Sequence, residues 1–441
     1  MTGSGRSNAE AAPAGATLPV LVLNGGSSSI KFSLYDVAGS LTLLYEGEAS
    51  GIHTPAARMD FFAVRNGART PHASAQALHP PQSFSDAVQQ IAALLRQPEM
   101  PQPMAIGHRV VHGGPNLVTH QQVTPQVLAE IEQAVTLAPL HQPIALEILH
   151  LALSIFADVP HFACFDTAFH QTMPPASYTY PVPAELRAQG IRRYGFHGIS
   201  FESIVQQFHH ARVPLVAGSA ALPQRMVVAH LGSGVSITAL RNGQSIDTTM
   251  GLTPCGGMLM GTRPGDLDPG LVFYLLRQQT GSAAEAVNAV ERALNKTSGL
   301  LALSGLSNDM RLLRAAAEQG NAQAALAIEV FVERAQKTIG GYIALLGGLD
   351  ALVFTAGIGE HDARTRAAIC RTLGCMGVQL DEASNAAAAP KARRISAAGS
   401  SVAVYVLPAE EDRTIAAHIA ASLRSGHVAA ASALPQAQPT C

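Results

Sequence analysis

The sequence predicts an α/β protein made of two related halves, each a mixed β-sheet covered by helices, with a cleft between them. Three observations carry that expectation. At 441 residues the chain exceeds what one ordinary core of roughly 100–200 residues accommodates, so two or three domains are expected. A strand, a turn of small residues and an alternating strand occur twice, as PVLVLNGGSSSIKFSL near the start and as MVVAHLGSGVSITAL at 226–240, nearly half the chain later. After each copy, segments of helical period alternate with short apolar runs, the pattern of sheets covered by helices.

Taken in order, residues 1–17 lack the apolar core of a signal peptide and read as a flexible extension. The first repeat, taken alone, is either a Gly/Ser-rich hairpin or a phosphate-facing turn whose small residues let backbone N–H groups approach an anion. Each copy continues through a turn, near Gly39 or at Asn242-Gly243, into a third extended stretch, LTLLYEGEAS at 41–50 or SIDTTMGL at 245–252. Apolar residues spaced at three and four predict helices over 84–96 and 126–137, and the Ala-rich stretches 282–294 and 321–346 are strong helix formers. Short apolar runs predict buried strands at 161–165, 351–357 and 402–408. Residues 211–224 read as a loop before the second copy, and 425–441 as a flexible tail.

Composition narrows the function. Hydrophobic residues make up 47% and charged residues 14%, enough for buried sheets, while a net charge of −2 argues against a nucleic-acid or membrane-surface binder. Small molecules are the expected partners. The five cysteines show neither zinc nor redox spacing and read as reduced, mostly buried thiols of a cytoplasmic protein. The apolar stretch IALLGGLDALVF is too short to span a bilayer and contains Asp350.

The usual P-loop, dinucleotide and zinc-protease signatures are missing. Charged residues instead accompany a series of small-residue turns. Arg109 lies in IGHRVVHGG, Asp166 closes a strand in CFDTAFH, and His197 sits in YGFHGIS. Arg263 lies in GTRPGDLDPG, FTAGIGEH ends a strand in a Gly-rich turn, and Glu410, Glu411 and Asp412 follow the last strand. Singly, each has a structural alternative: a solvated arginine, a packed histidine, an aspartate capping a turn, or acids at a helix start. Together they form the set that phosphoryl transfer needs.

The motifs GHRVVHGG, APLHQP, FDTAFHQTMP, RRYGFHGIS, HLGSG, DTTMGLTP, MGTRPGDLDP, FTAGIGEH and the closing Pro408-x-x-Glu411-Asp412 resemble acetate kinase in order and spacing, from about residue 19 to about residue 420. The resemblance implies a duplicated actin-like ATPase fold. An N-terminal domain would span 18–167, completed by a helix at 411–424, and a C-terminal domain would span 168–410. It implies reversible Mg²⁺-dependent transfer of the ATP γ-phosphoryl group to acetate, giving acetyl phosphate and ADP, with Mn²⁺ as a substitute ion, in a homodimer. The alternatives are a propionate or butyrate kinase of the same family and an actin-like ATP-binding switch without acid kinase activity.

The resemblance also implies residue roles. Arg109 binds the substrate carboxylate, Asp166 is the active-site acid, and His197 and Arg263 stabilise the transition state. Lys31, His230, Leu231, Gly232, Ser233, Gly234, Asp309, Met310, Arg311, Gly357, Ile358, Gly359, Glu360 and His361 line the nucleotide, with Asn24 and Glu411 at the metal. A one-residue shift in the closing motif exchanges Glu410 for Glu411. Val111, Leu140, Phe196 and Pro254 wall a small apolar pocket for the acid's carbon tail, where Val111 favours acetate over propionate. Ser233, His361 and Cys255-Gly256-Gly257 depart from the family's usual Asn, Asn and Leu-Glu-Gly, which bears on nucleotide affinity more than on the chemistry.

The physics fits these roles. Catalysis of phosphoryl transfer is largely positioning and charge stabilisation, which guanidinium groups perform through planar, multi-donor contacts. A carboxylate nucleophile is already ionised at neutral pH, so Asp166 is expected to orient a neighbour, not to abstract a proton.

Overall fold

The computed structural model describes residues 17–215 and 221–426; the expected extension at 1–16, the middle of the 211–224 loop and the tail from 427 lie outside the described residues. The first sheet starts with the hairpin β1 (Pro19–Gly25) and β2 (Ser29–Asp36), in which Asn24 pairs with Lys31. It continues antiparallel through β3 (Thr42–Ser50), β4 (Arg58–Arg65) and β5 (Ala68–Pro71). Helix α1 (Phe84–Leu95), capped by Ser83, leads to β6 (Ala105–Val110), which runs parallel to β1. The short β7 (Gln121–Gln122), α2 (Pro125–Gln133) and α3 (Gln142–Ile155) precede β8 (His161–Phe165), parallel to β6. Two single turns, α4 (Pro175–Tyr178) and α5 (Ala184–Arg187), then lead to α6 (Gly198–His209).

The second sheet repeats the scheme. Strands β9 (Arg225–Leu231), β10 (Val235–Arg241) and β11 (Gln244–Thr248) form the antiparallel meander, turning at Asn242-Gly243 as expected. Helices α7 (Pro269–Gln278), α8 (Ala283–Lys296), α9 (Gly299–Ser304), α10 (Met310–Glu318) and the 25-residue α11 (Ala322–Leu346) come next. Strand β12 (Ala351–Thr355) runs parallel to β9. It is followed by α12 (Ala356–His361), α13 (Ala363–Arg371), α14 (Glu382–Ala386), β13 (Arg393–Arg394), β14 (Ala403–Val406) and α15 (Glu411–Arg424). The order β3-β2-β1-β6-β8 in one sheet matches β11-β10-β9-β12-β14 in the other, with the same strand directions. The fold is therefore the duplicated α/β arrangement.

Side-chain alternation explains how the layers stack, since neighbouring strand residues face opposite sides of a sheet. Leu21 and Leu23 pack with the apolar face of α1, while Val20 and Val22 pack with Ile415, Ala416 and Ile419 of α15. In the second sheet, Val227 and Ala229 pack with Phe331 and Ile339 of α11, whereas Met226 and Val228 pack with Phe201, Ile204 and Phe208 of α6. Helices α6 and α15 also touch each other, so the two form the layer between the sheets. With both faces covered, β1, β6, β8, β9, β12 and β14 are almost wholly buried, as parallel strands require.

Two details differ from the sequence expectation. The strand expected over 351–357 stops at Thr355, and the Gly-rich stretch after it is the helix α12, entered through Ala356 at φ 63°. Of the cysteines, Cys164 and Cys370 are buried, Cys255 is half-buried and Cys375 is exposed; all four are free, and Cys441 lies outside the described residues.

Candidate active site

In parallel α/β sheets, ligands gather at the carboxyl ends of the strands. Those ends of β1, β6 and β8 bring together Asn24, Arg109 and Asp166. Arg109 grips Asp166 with two groups, Nη2 donating at 2.7 Å and Nε at 3.0 Å, and its Nη1 donates to Asn24 Oδ1 at 3.3 Å. Asp166 is 1% exposed, so this is a buried, bidentate ion pair. Burial opposes the charge on Arg109, but Asp166 and Glu411 together hold its guanidinium above the ordinary arginine value. Both carboxylate oxygens of Asp166 are thus engaged by Arg109.

Helix α15 enters from the other side with its acidic first turn. Glu411 Oε2 lies 4.0 Å from Arg109 Nη1 and accepts from Asn24 Nδ2 at 3.1 Å. Asp412 accepts from the same Nδ2 at 3.1 Å and from Ser33 Oγ at 2.7 Å. Burial works to raise the Glu411 pKa, yet Arg109, His230, Asn24 and Lys31 hold it below the usual carboxylate range. Asp412 is pushed up, by burial first and also by Glu411 beside it. Glu410 turns away to pair with Arg212, which identifies Glu411 as the acid that faces the site. Buried Asp166 and half-buried Glu411 and Asp412 gather three carboxylates beside the half-buried Arg109, an oxygen-rich set that suits a divalent cation. Asn24 was expected among the metal ligands. Its amide oxygen accepts from Arg109 Nη1 and keeps a second lone pair, and its nitrogen donates to both carboxylates, which places Asn24 directly beside Glu411.

The opposite wall comes from α6 and the second sheet. The carbonyl of Asp166 accepts from Gly198 N at 2.9 Å, which fixes the start of α6 and leaves His197 in the left-handed region at φ 57°. A non-glycine residue held there is strain of the kind found at functional sites. His197 Nδ1 lies 2.8 Å from Ser236 Oγ, and its ring stacks on His230 at 4.1 Å between centroids. His230 Nδ1 is in turn 2.8 Å from Ser200 Oγ. A Cβ on Gly234 would lie 3.0 Å from Arg263 Nη2 and 3.1 Å from His197 Nε2, so both donors close on the 231–234 turn.

Arg263 Nη1 donates to the carbonyl of Pro254. Burial lowers the His197 pKa well below its ordinary value, and His230, Arg109 and Arg263 lower it further. His141 is lowered to about 3, by burial first and then by Arg263 and Arg109. Both rings are therefore neutral, and His197 lies between Gly198, bonded to the Asp166 carbonyl, and the Gly234 position that it shares with Arg263.

The remaining expected residues fall into three groups. Val111 and Phe196 are buried in one apolar cluster with Ala138 and Met250, Pro254 is buried, and Leu140 is half-buried in the loop before α3. Lys31 is exposed at the rim, opposite Asn24 in the hairpin and within electrostatic reach of Glu411 and Asp412. Ser233 accepts from Gly261 N at 3.2 Å, which ties the turn to the loop carrying Arg263. Asp309 caps α10 and pairs with Arg311 at 2.6 Å; the Arg311 side chain is exposed. Leu231 and Met310 are core residues, so those positions offer a nucleotide only backbone groups.

Around α12, Gly359 is buried, Ile358 packs on the core and His361 is exposed. Glu360 accepts from Ala356 N and Ala409 N, each at 3.1 Å, bracing Gly357 and its neighbours against the turn before Glu411. Sequence reasoning missed Ser33, His141, Ser200 and Ser236, and named Asp412 only as the second acid of the closing motif. Each of them stood inside a quoted motif, but none was given a role there.

Comparison with known proteins follows the geometry. Residues 19–417 match the profile of the acetokinase family. The chain is 43% identical over 407 residues to an acetate kinase of Rhodopseudomonas palustris, covering 91% of this chain and 97% of that protein. Among solved structures it is similar to acetate kinase of Porphyromonas gingivalis (TM-score 0.77, 34% identity, 92% of this chain and 100% of that one). It is also similar to a propionate kinase of Francisella tularensis (TM-score 0.78, 36% identity, 90% and 98%).

Proposed function

The chain belongs to the acetokinase family and transfers a phosphoryl group from ATP to acetate, and from that premise we propose that the Arg109 cluster and the 231–234 turn are the two walls of its active site. The observation that carries this reading is that His197 joins the two walls: Gly198 N, next in the chain, donates to the carbonyl of Asp166, which grips Arg109, while His197 Nε2 and Arg263 Nη2 flank the same Gly234 position. Arg109, held by Asp166, receives the acetate carboxylate. The γ-phosphoryl group lies between that carboxylate and the 231–234 turn, where Arg263 and a neutral His197 donate hydrogen bonds to its oxygens during in-line transfer. The remaining nucleotide-lining positions, Asp309 to Arg311 and Gly357 to His361, receive the rest of ATP through capped helix starts and backbone groups.

Asn24 and Glu411 are the ligands we propose for Mg²⁺, for which Mn²⁺ can substitute; the ion would supply charge neutralisation on the phosphate oxygens. We also propose that residues 18–167 with 411–424 form one domain and 168–410 the other, so that transfer takes place between them. Val111 beside Phe196 supports a preference for acetate over propionate. Arg263→Ala should lower kcat by orders of magnitude in a folded protein, measured as acetyl phosphate trapped by hydroxylamine; near-normal turnover would end this assignment. The same assay run over a panel of short carboxylic acids reads the preference directly.

A homodimer is proposed as well. Its support is α7, an apolar helix without a single buried residue, on which Leu271, Phe273 and Tyr274 are exposed. Light scattering on the eluting peak of a sizing column tests it. Among the described residues no helix is long and apolar enough to cross a membrane, and the four described cysteines are free, which supports the cytoplasm as the proposed location.

A further inference from the structure

Outside the site, Glu202 on α6 joins two histidines from distant segments. His418 Nε2 on α15 lies 2.7 Å from Glu202 Oε1, and His120 Nε2, just before β7, lies 3.4 Å from Oε2. His120 Nδ1 accepts from Phe165 N at 3.0 Å. The three ligand atoms lie within 4.8 Å of one another, beside a cleft of about 510 Å³. That spacing suits a metal shell, but the Phe165 N–H occupies the Nδ1 lone pair of His120. The ring proton is therefore on Nε2, which donates to Glu202 and has no electron pair to give a cation. The cluster is a hydrogen-bonded triad around one carboxylate.

The three elements that the triad joins are the ones that carry the chemistry. Phe165 immediately precedes Asp166 on β8. Glu202 stands little more than one turn beyond His197 on α6. His418 lies two turns beyond Glu411 on α15. Weaker ties run alongside: Ser203 Oγ accepts from Glu410 N at 3.2 Å, and Gln207 Nε2 donates to the Pro408 carbonyl at 2.9 Å. Burial acts to raise the Glu202 pKa, but the hydrogen bonds from His120 and His418 bring it down to about 2, so the carboxylate is ionised at working pH.

We propose that Glu202, with His120 and His418, is a positioning network that keeps Asp166, His197 and Glu411 in register for phosphoryl transfer. The inference rests on the active-site reading above. A displacement near 1 Å at such a site costs on the order of 100-fold in rate. Removing the shared carboxylate loosens the register between the three elements, while the Arg109–Asp166 pair that binds acetate keeps its own hydrogen bonds.

Steady-state kinetics on purified full-length variants test this, with a melting curve for each. Glu202→Ala should lower kcat about 10- to 100-fold with the KM values for acetate and ATP within about threefold. His418→Ala should do the same, His418→Gln, which keeps an N–H donor, should recover most of the rate, and the double variant Glu202→Ala/His418→Ala should be no slower than Glu202→Ala alone. Wild-type kcat in Glu202→Ala would overturn the proposal, as would His418→Gln matching His418→Ala. If Glu202→Ala does not fold, the His418 pair decides by the same criterion. One equivalent of Zn²⁺ bound by the wild type and lost in His418→Ala would overturn the triad in favour of a metal centre. Asp166→Ala serves as the control: full activity there would fault the site assignment itself, not the network.

Discussion

Replacing Gly234 by alanine should slow transfer without unfolding the protein. The added Cβ would lie 3.0 Å from Arg263 Nη2 and 3.1 Å from His197 Nε2, where ordinary contact needs about 3.4 Å or more, so each donor must retreat by roughly 0.3–0.4 Å. Neither can do so freely. Arg263 is tied to the Pro254 carbonyl, and His197 is stacked on His230 and bonded to Ser236. If about 1 Å costs on the order of 100-fold, each retreat costs roughly fivefold and the two together about 25-fold, or ~2 kcal/mol on the barrier.

Gly234 does not occupy the left-handed region, so alanine adds no backbone strain and the melting temperature should stay within a degree or two. The KM for acetate should hold, because Arg109 is untouched. The assay is acetyl phosphate formation at saturating ATP and acetate. A kcat within twofold of wild type would refute the argument that these two donors close on this turn, and a collapse in melting temperature would show that the fold, not the donors, took the strain.

Asp412→Asn should raise the melting temperature at neutral pH. An asparagine keeps both partners, accepting from Asn24 and donating to Ser33 Oγ, and removes a charge that burial and Glu411 disfavour. Because the folded pKa of Asp412 is raised, the cost of its charge applies above the ordinary aspartate value and fades as pH falls and the group protonates. The gain from asparagine should fade with it in melting curves taken across acid pH, and a constant gain would contradict the assignment.

Acid should destabilise the fold through its buried histidines. Burial lowers His112, His161, His170 and His230 to about 4 and His141 to about 3, so the unfolded chain takes up protons near 6.5 that the folded chain refuses. Stability is therefore full above about pH 6.5 and falls as pH drops toward 4, by up to ~1.4 kcal/mol per pH unit for each group. Denaturant midpoints at a series of pH values will show the slope, and a flat profile over that window would rule the effect out. Finally, Val111→Ala should shift the kcat/KM ratio toward propionate by about tenfold or more, since a methylene's worth of room in an apolar pocket is worth ~1–3 kcal/mol. An unchanged ratio would remove Val111 from the pocket wall.

Much of the architecture could be read from residue order because it depends on short-range pattern. The two Gly/Ser turns were legible as hairpins because small residues interrupt alternating strands, and α11 because 25 residues of helix formers run from Asn321 to Gly347. The β4–β5 hairpin was missed although Asn66-Gly67, at φ 50° and 77°, is the strongest short hairpin signal, because β4 is mostly half-buried, β5 is wholly exposed and both are weakly patterned. Helix α6 was also missed: it is buried on several sides, facing both sheets, and so lacks a single apolar stripe.

In the site, charged residues in small-residue turns were visible, whereas Ser33, Ser200 and Ser236 were not. A hydroxyl that holds a histidine or carboxylate from another element has no fixed sequence distance to it.

The packing of α15 on the first sheet has a consequence for how the nascent chain matures. Val20, Val22, Ala105 and Phe162 share an apolar cluster with Ile199 and with Ile415, Ala416, Ile419 and Ala420, the part of it made last. About 300 residues separate β6 from that helix, which at roughly 5–20 residues per second is about 15–60 s of translation. During that interval the leading half waits on the ribosome with one greasy face uncovered, and a chaperone or the emerging second half must shield it until the last helix arrives.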